Sequence, residues 1–293
     1  MSDDKSGKPH IKLEVPFGED RVLLHTCCAP CSGAIIECLL ENGIRPTIFY
    51  CNPNIWPEEE YLIRKNECTR FAEMMGLDIV DDDYDHEAWL RGMEKLYSGE
   101  NGADVWKILS AAPERGERCL LCFKYRLLRT AQYAVKHGFR VMTTTLASSR
   151  WKSIEQINEA GNWAVAVVQS VGSDVPAAVQ NAGLDVSSAV KSVGSAASAA
   201  VQSVGSDVPS AVKSSELDAY AAGKCIGDRV RNVVEYGVNH CKSGEWRQNG
   251  AGDLVWWEQN WRKGGLQERR GQLIKEYDFY NQRWCGCEFS NKL

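Results

Sequence analysis

Five short apolar runs, separated by helix-length segments, limit what this chain can build. Arg21 to His25, Thr47 to Cys51, Leu77 to Val80, Val141 to Leu146 and Leu254 to Trp257 read as strands. Ser32 to Glu41, Pro57 to about Met75, His86 to Leu96, Phe123 to His137, Ser153 to Ala160 and Leu266 to Tyr277 read as helices. The stops are written locally: Asn42-Gly43, Gly76 and Gly138 follow the last periodic residue of their helices. Pro57 opens its helix at a position where a missing N–H costs nothing, and three glutamates follow at the positive end of the dipole. Strand and helix in alternation imply an α/β fold, a Rossmann-like open parallel sheet with helices on both faces.

One stretch breaks the pattern. Between about Val165 and Gly223 the chain turns to Ala, Val, Ser and Gly and repeats every eleven residues: QSVGSDVPAAV from Gln169, QNAGLDVSSAV from Gln180, KSVGSAASAAV from Lys191 and QSVGSDVPSAV from Gln202. Eleven residues are close to three helical turns and can carry a straight apolar stripe. Pro176 and Pro209 inside the units, with a glycine in each, oppose a continuous helix. The expected organisation is a flexible tail over 1–20, a catalytic α/β domain over 21–161, a low-complexity insertion over 162–252 and the rest of the catalytic domain over 253–293.

Thiols supply the chemical signal. His25-Thr26-Cys27-Cys28-Ala29-Pro30-Cys31 puts three of them within five residues, directly after the first strand. Cys119-x-x-Cys122 and Cys285-Gly286-Cys287 follow far downstream. The polar first eighteen residues lack the apolar core of a signal peptide, and no run is long enough to span a bilayer. A cytoplasmic, reducing location is therefore expected, where twelve cysteines speak for metal or redox chemistry over disulfides. Neighbouring cysteines are unusual ligands of one tetrahedral ion, so Cys27 and Cys28 are expected to serve two centres, one sulfur each. Seven thiols, Cys27, Cys28, Cys31, Cys119, Cys122, Cys285 and Cys287, exceed the four that one cluster takes. A cluster plus a second metal ion is the expectation, whereas Cys38 and Cys68, both within helices, read as apolar filler.

The unusual polar motifs fall at one place on the expected fold. Cys27-Cys28 ends strand one, Cys51-Asn52-Pro53-Asn54 strand two, Asp81 to Asp85 follows strand three, and Thr143-Thr144-Thr145 ends strand four. The carboxyl ends of an open parallel sheet form its ligand crevice. Neither a P-loop nor a dinucleotide glycine fingerprint follows a strand. A net charge of −5 argues against global nucleic-acid binding, although local basic clusters recur, such as Arg150 with Lys152. Each such cluster, taken alone, reads as a solvated face.

At these residues the chain resembles the QueH-type epoxyqueuosine reductases. The likeness rests on His25 to Pro30, Tyr50-Cys51-Asn52-Pro53-Asn54-Ile55, Glu59-Glu60-Tyr61, Asp83-Tyr84-Asp85 and Arg118-Cys119-x-x-Cys122-Phe123. It continues through Arg126-Leu127, Thr143 to Leu146, Asn260 to Arg269 and Phe279-Tyr280-Asn281-Gln282 into Cys285-Gly286-Cys287. The resemblance implies a HUP-like sheet and a cobalamin-independent oxidoreductase that converts epoxyqueuosine in tRNA to queuosine. It further implies a 4Fe–4S cluster and a second metal, an iron, fed by an electron donor that the sequence does not identify. Cys119 and Cys122, with Cys27 or Cys28, would hold the cluster, and the remaining sulfurs or Asp83 the iron. Tyr50, Asp83, Asp85 and His25 are the candidate catalytic residues. Arg126, Arg150, Arg262, Lys263 and Arg270 are the expected contacts to tRNA phosphates, and Tyr50 and Trp56 candidates to stack on an extruded base. Two other readings compete: a zinc-stabilised RNA-binding module without catalysis, and a thiol–disulfide oxidoreductase using Cys119-x-x-Cys122.

Overall fold

The computed structural model describes residues 11–97, 102–171, 253–282 and 284–290. The first strand, β1 (Arg21–Thr26), is buried beyond its first residue and becomes the centre of the sheet. It leads into α1 (Ala29–Glu41), β2 (Arg45–Tyr50), α2 (Glu58–Met74) and β3 (Ile79–Asp81). Next come α3 (His86–Tyr97), α4 (Gly102–Ala111), α5 (Glu117–Lys136) and β4 (Val141–Thr144). The last elements are α6 (Ile154–Val171), β5 (Val255–Trp256) and α7 (Leu266–Glu276). The five strands form one sheet, all parallel, in the order β3-β2-β1-β4-β5. The expected α/β class with helices around a parallel sheet is what the chain adopts.

This order sets the site. The chain steps outward from β1 through β2 to β3, then crosses to the other side of β1 for β4 and β5. Helices that follow the two middle strands leave in opposite senses, which opens a crevice at their carboxyl ends. Leu24 pairs with Ile48 on one side and Thr143 on the other, and His25 lies level with Thr144. Cys27 and Thr145 therefore meet across the switch point, where the Cys27 N–H donates to Thr145 Oγ1 at 3.3 Å.

Several boundaries differ from expectation. β4 stops at Thr144 because Thr145–Ser148 coils into a 3-10 turn, capped by Thr144 Oγ1 accepting from the Leu146 N–H at 3.1 Å. Helix α4 was not expected. α5 begins at Glu117, six residues before Phe123, so Cys119 and Cys122 both belong to its first turns. α6 runs on past the expected boundary at 161, because Trp163, Ala164, Val165 and Val168 form an apolar face that is buried in the core. The eleven-residue repeat lies outside the described residues, apart from its first positions at the end of α6.

β5 is docked onto α6. Gly161 allows the close approach: a Cβ there would fall 2.2 Å from the Trp256 ring. Trp256 Nε1 donates to Asn158 Oδ1 at 3.3 Å, and Gln169 Nε2 donates to the Leu254 carbonyl at 2.8 Å. On the other face of the sheet α1 packs on α7. Arg269 grips Glu37 through two bonds of 2.7 Å, with both side chains about nine-tenths removed from solvent.

Candidate metal centre

Three thiols meet where β1 passes into α1. Cys28 is the residue at the helix start, and its carbonyl accepts from the N–H groups of Cys31 and Ser32, each at 3.2 Å. Pro30 fits the first turn because its missing N–H would have no partner there. The turn brings Cys31 back under Cys27 and Cys28. The Sγ atoms of Cys27 and Cys28 lie 3.8 Å apart, and all three sulfurs lie within 4.8 Å of one another. Cys27 and Cys28, expected to serve two centres with one sulfur each, stand side by side. The strand ends at the first and the helix starts at the second, so the backbone folds between them and both sulfurs join one group.

Four further thiols line a single cavity. Cys119 and Cys122 enter from the amino end of α5; Cys285 and Cys287 come from the segment after α7. That segment is pinned to the β2–α2 loop: the Trp56 N–H donates to the Gly286 carbonyl, and Ile55 bridges to Cys287 in antiparallel fashion. Arg64 adds a clamp, its guanidinium paired with Glu60 at 2.6 Å and lying 5.3 Å from the Trp284 ring centroid. Gln282, from the segment that carries the last thiol pair, reaches the first group, its Nε2 donating to Cys28 Sγ. All ten described cysteines are free.

Each group carries one acidic thiol. The neighbouring Cys28 and Cys31 thiols hold Cys27 well below the ordinary range, with Lys152 and Arg126 assisting against the cost of burial. Cys287 does the same for Cys285. The partners move the other way: burial pushes Cys28 up, the Cys27 bond takes Cys31 to about 11, and burial takes Cys119 to about 11. Burial disfavours the Lys152 ammonium, but Cys27, Cys285 and Cys31 outweigh it and hold the lysine above its usual value. Lys152 also lines the cavity, so one cation serves both thiol groups. A cluster of soft thiolates flanked by two helix amino termini and a shared cation suits a soft metal centre.

The other expected site residues divide. Tyr50 is fully buried beside the thiols, and its hydroxyl has no partner; burial raises it well above the ordinary phenol value. It presents no surface on which a base could stack. His25 is also fully buried, with Nδ1 2.7 Å from Thr144 Oγ1 and Nε2 3.1 Å from the Cys51 carbonyl. A carbonyl only accepts, so the single proton of the neutral ring sits on Nε2 and is spent there. Burial and the Arg126 charge lower the imidazole to about 3, which keeps it neutral. His25 thus ties β1 to the ends of β2 and β4 with both ring nitrogens engaged. Asp83 is exposed and outside the thiol group. Asp85 is exposed too and caps α3, accepting the Ala88 N–H at 2.7 Å.

Of the expected phosphate contacts, Arg126 is buried, with its guanidinium donating to the Cys51 carbonyl at 3.1 Å and to Asn52 Oδ1. It lines the thiol cavity instead of facing solvent. Arg262 is half-buried and holds the carbonyls of Ser149 and Lys152, each at 2.5 Å. Arg150 and Lys263 are exposed and Arg270 is half-buried. Sequence reasoning passed over Trp151, quoted Thr145 and Gln282 within motifs without giving either a role, and read Lys152 as part of a solvated face. Their one local signal is position, just after the carboxyl end of β4 or just before the last thiol pair.

The sequence model of the family described as "Epoxyqueuosine reductase QueH" matches residues 22–175 and 238–293, leaving out most of the repeat. The epoxyqueuosine reductase QueH of Acinetobacter baylyi is 32% identical over 283 residues, 97% of this chain and 86% of that protein. That of Haemophilus influenzae is 32% identical over 282 residues, 95% of this chain and 75% of the relative. The Streptococcus pyogenes protein of the same name is 32% identical over 151 residues, 48% of this chain and 52% of its own.

Proposed function

The chain belongs to the epoxyqueuosine reductase QueH family, and we propose that it reduces the epoxide of epoxyqueuosine in tRNA to the cyclopentene of queuosine. The observation that carries this reading is two groups of free thiols that share Lys152: Cys27, Cys28 and Cys31 within 4.8 Å of one another, and Cys119, Cys122, Cys285 and Cys287, which line one cavity with that lysine. Two electrons and two protons turn an epoxide into an alkene and water. A 4Fe–4S cluster and a second iron, once bound, would supply electrons singly and a Lewis acid for oxygen.

The residues fit such a pair of centres. Cys27, Cys28 and Cys31 have the spacing of ligands to one ion, since thiolates about 2.3 Å from a tetrahedral metal sit just under 4 Å apart. Cys119, Cys122, Cys285 and Cys287 line one cavity, which this reading assigns to the cluster. Buried Tyr50 and half-buried Gln282 leave a hydroxyl and an inaccessible amide oxygen without protein partners, the latter on a side chain that reaches Cys28. Tyr50 is the proton-donor candidate whose O–H is not spent on the protein, and its raised pKa keeps that proton in place. Lys152 and Arg126 bring fixed positive charge to the same space, where negative charge would develop on oxygen. A tRNA substrate and reduced thiols belong in the cytoplasm, and among the described residues no helix is long and apolar enough to cross a membrane.

Anaerobic purification, with iron, acid-labile sulfide and zinc measured per chain, tests the reading. About five irons with four sulfides, and turnover on epoxyqueuosine-containing tRNA, is the expected result. Zinc without sulfide would replace the reductase with a zinc-stabilised RNA-binding module, because the tight thiol triad also suits that ion.

A further inference from the structure

The turn from Ser149 to Lys152 is held with unusual completeness. Its four successive carbonyls all accept side-chain hydrogen bonds from two arginines. Arg262 takes Ser149 and Lys152, each at 2.5 Å; Arg115 takes Arg150 and, at 3.2 Å, Trp151. Arg115 itself adopts φ +61°, a left-handed conformation that side-chain-bearing residues rarely enter. Gln156 Nε2 secures it by donating to its carbonyl at 2.9 Å.

What this braced turn displays is Trp151. The residue is 60% exposed, the most exposed large apolar side chain among the described residues, and it lines the thiol cavity. One exposed tryptophan needs no explanation on its own. A tryptophan whose backbone is pinned at a cavity mouth by two arginines does, since the bracing fixes where the ring is presented. We infer that Trp151 is a stacking platform for an unpaired nucleobase, set at the mouth of the thiol cavity. The inference rests on the tRNA reading above and assigns a residue that reading did not contain.

The surroundings select the partner. Arg115, Arg150, Lys152 and Arg262 stand around the ring against Glu114 and Glu155. The Arg150 guanidinium lies 4.9 Å from the ring centroid. An aromatic face inside a cationic rim is the arrangement that holds single-stranded nucleic acid, with stacking from the ring and phosphate contact from the arginines. Trp56 is a poorer candidate: it is 46% exposed, but its ring is stacked on His86 at 5.0 Å.

The test uses the metal-loaded full chain and an anticodon stem-loop RNA bearing epoxyqueuosine. Trp151→Leu keeps apolar bulk but loses the aromatic face; Trp151→Phe keeps a face. We expect Trp151→Leu to raise both Kd and KM about ten-fold or more, with kcat within about two-fold, and Trp151→Phe to recover most of the affinity. Iron per chain is followed in both. Independently of turnover, the emission present in the wild type and missing in Trp151→Phe should be quenched by the stem-loop. Equal Kd in Trp151→Leu and wild type overturns the platform, as does an effect confined to kcat. A loss of binding to a protein reductant but not to RNA overturns it in favour of a protein-docking surface. If the wild type binds RNA through Trp151 yet reduces nothing, the reductase reading fails and the platform stands. If turnover proceeds with unchanged KM in Trp151→Leu, the platform fails and the reading stands.

Discussion

The backbone N–H of Trp56 donates to the carbonyl of Gly286 at 2.8 Å, and that bond ties the last thiol pair to the loop after β2. Gly286 has φ +93°, and a Cβ on it would come 2.9 Å from Ile55 Cγ1 and 3.0 Å from Arg64 Nη1. Gly286→Ala should therefore strain the backbone and push Cys285 and Cys287 off their clamp. We expect a loss of about 1–3 kcal/mol in urea unfolding and reduced iron per chain. Gly271→Ala is the control: it lies within α7 with nothing within 4 Å of an added Cβ, and should stabilise by roughly 0.5–1 kcal/mol. Wild-type iron in Gly286→Ala would remove the clamp from the account.

Cysteines that look alike in the sequence should separate by position. Cys119→Ala removes a sulfur from the wall of the cavity, and we expect the iron–sulfur absorbance and activity to go with it. Cys38→Ser should keep both, because Cys38 is a buried packing residue of α1. A colourless Cys38→Ser protein would contradict that division.

Arg269 and Glu37 join α1 to α7, and the pair is almost dry. Truncation to Arg269→Ala leaves a carboxylate buried without its main partner, at a cost of about 3 kcal/mol or more. The double variant Glu37→Leu with Arg269→Leu should recover most of that loss, since neither charge then remains. Denaturant midpoints of the three proteins decide it. A double variant no more stable than Arg269→Ala would mean that the bidentate geometry itself carries the stability.

Stripping the metal should cost the fold as well as the chemistry. Thiols drawn from residue 27 to residue 287 come together only when the sheet is assembled, so any metal they bind would stabilise the native state by mass action. Chelation under anaerobic conditions should lower Tm in proportion to the iron lost and cost about 3 kcal/mol or more of unfolding free energy for a tightly held ion. Identical melting curves with and without iron would show that the thiols hold nothing structural.

The sheet was legible because its signals are local. Val22-Leu23-Leu24 is a buried strand by composition, and Gly76 and Gly138 stop their helices by backbone freedom alone. Cysteine grouping was legible for the same reason, as three clusters along the chain. What stayed hidden depends on burial, which no window of sequence records. Arg126 and His25 are polar residues near cysteines, and the one invites a phosphate contact, the other a catalytic role. Only the fold shows one holding the Cys51-Asn52 turn and the other with both ring nitrogens engaged. The Asp81–Asp85 run misleads similarly: Asp82 is locked to Arg129, with one bond at 2.6 Å, and Asp85 caps a helix. Lys152 and Trp151 owe their place to Arg115 and Arg262, which lie 36 and 110 residues away at the contacts that matter. The early start of α5 was missed because Gly116 caps it without a side-chain bond, so no N-cap signature precedes Glu117.

The contact between Gln169 and the Leu254 carbonyl gives the chain a neck: a single hydrogen bond joins the last turn of α6 to the residue before β5. Once the two ends are held together, the cost of whatever runs between them grows only with the logarithm of its length. β5 is thus indifferent to the size of the excursion that precedes it. Relatives could gain or lose sequence at this point without moving a thiol. For the same reason the neck is a natural place to graft a cargo, such as a reporter protein whose own ends lie close together, onto the working enzyme.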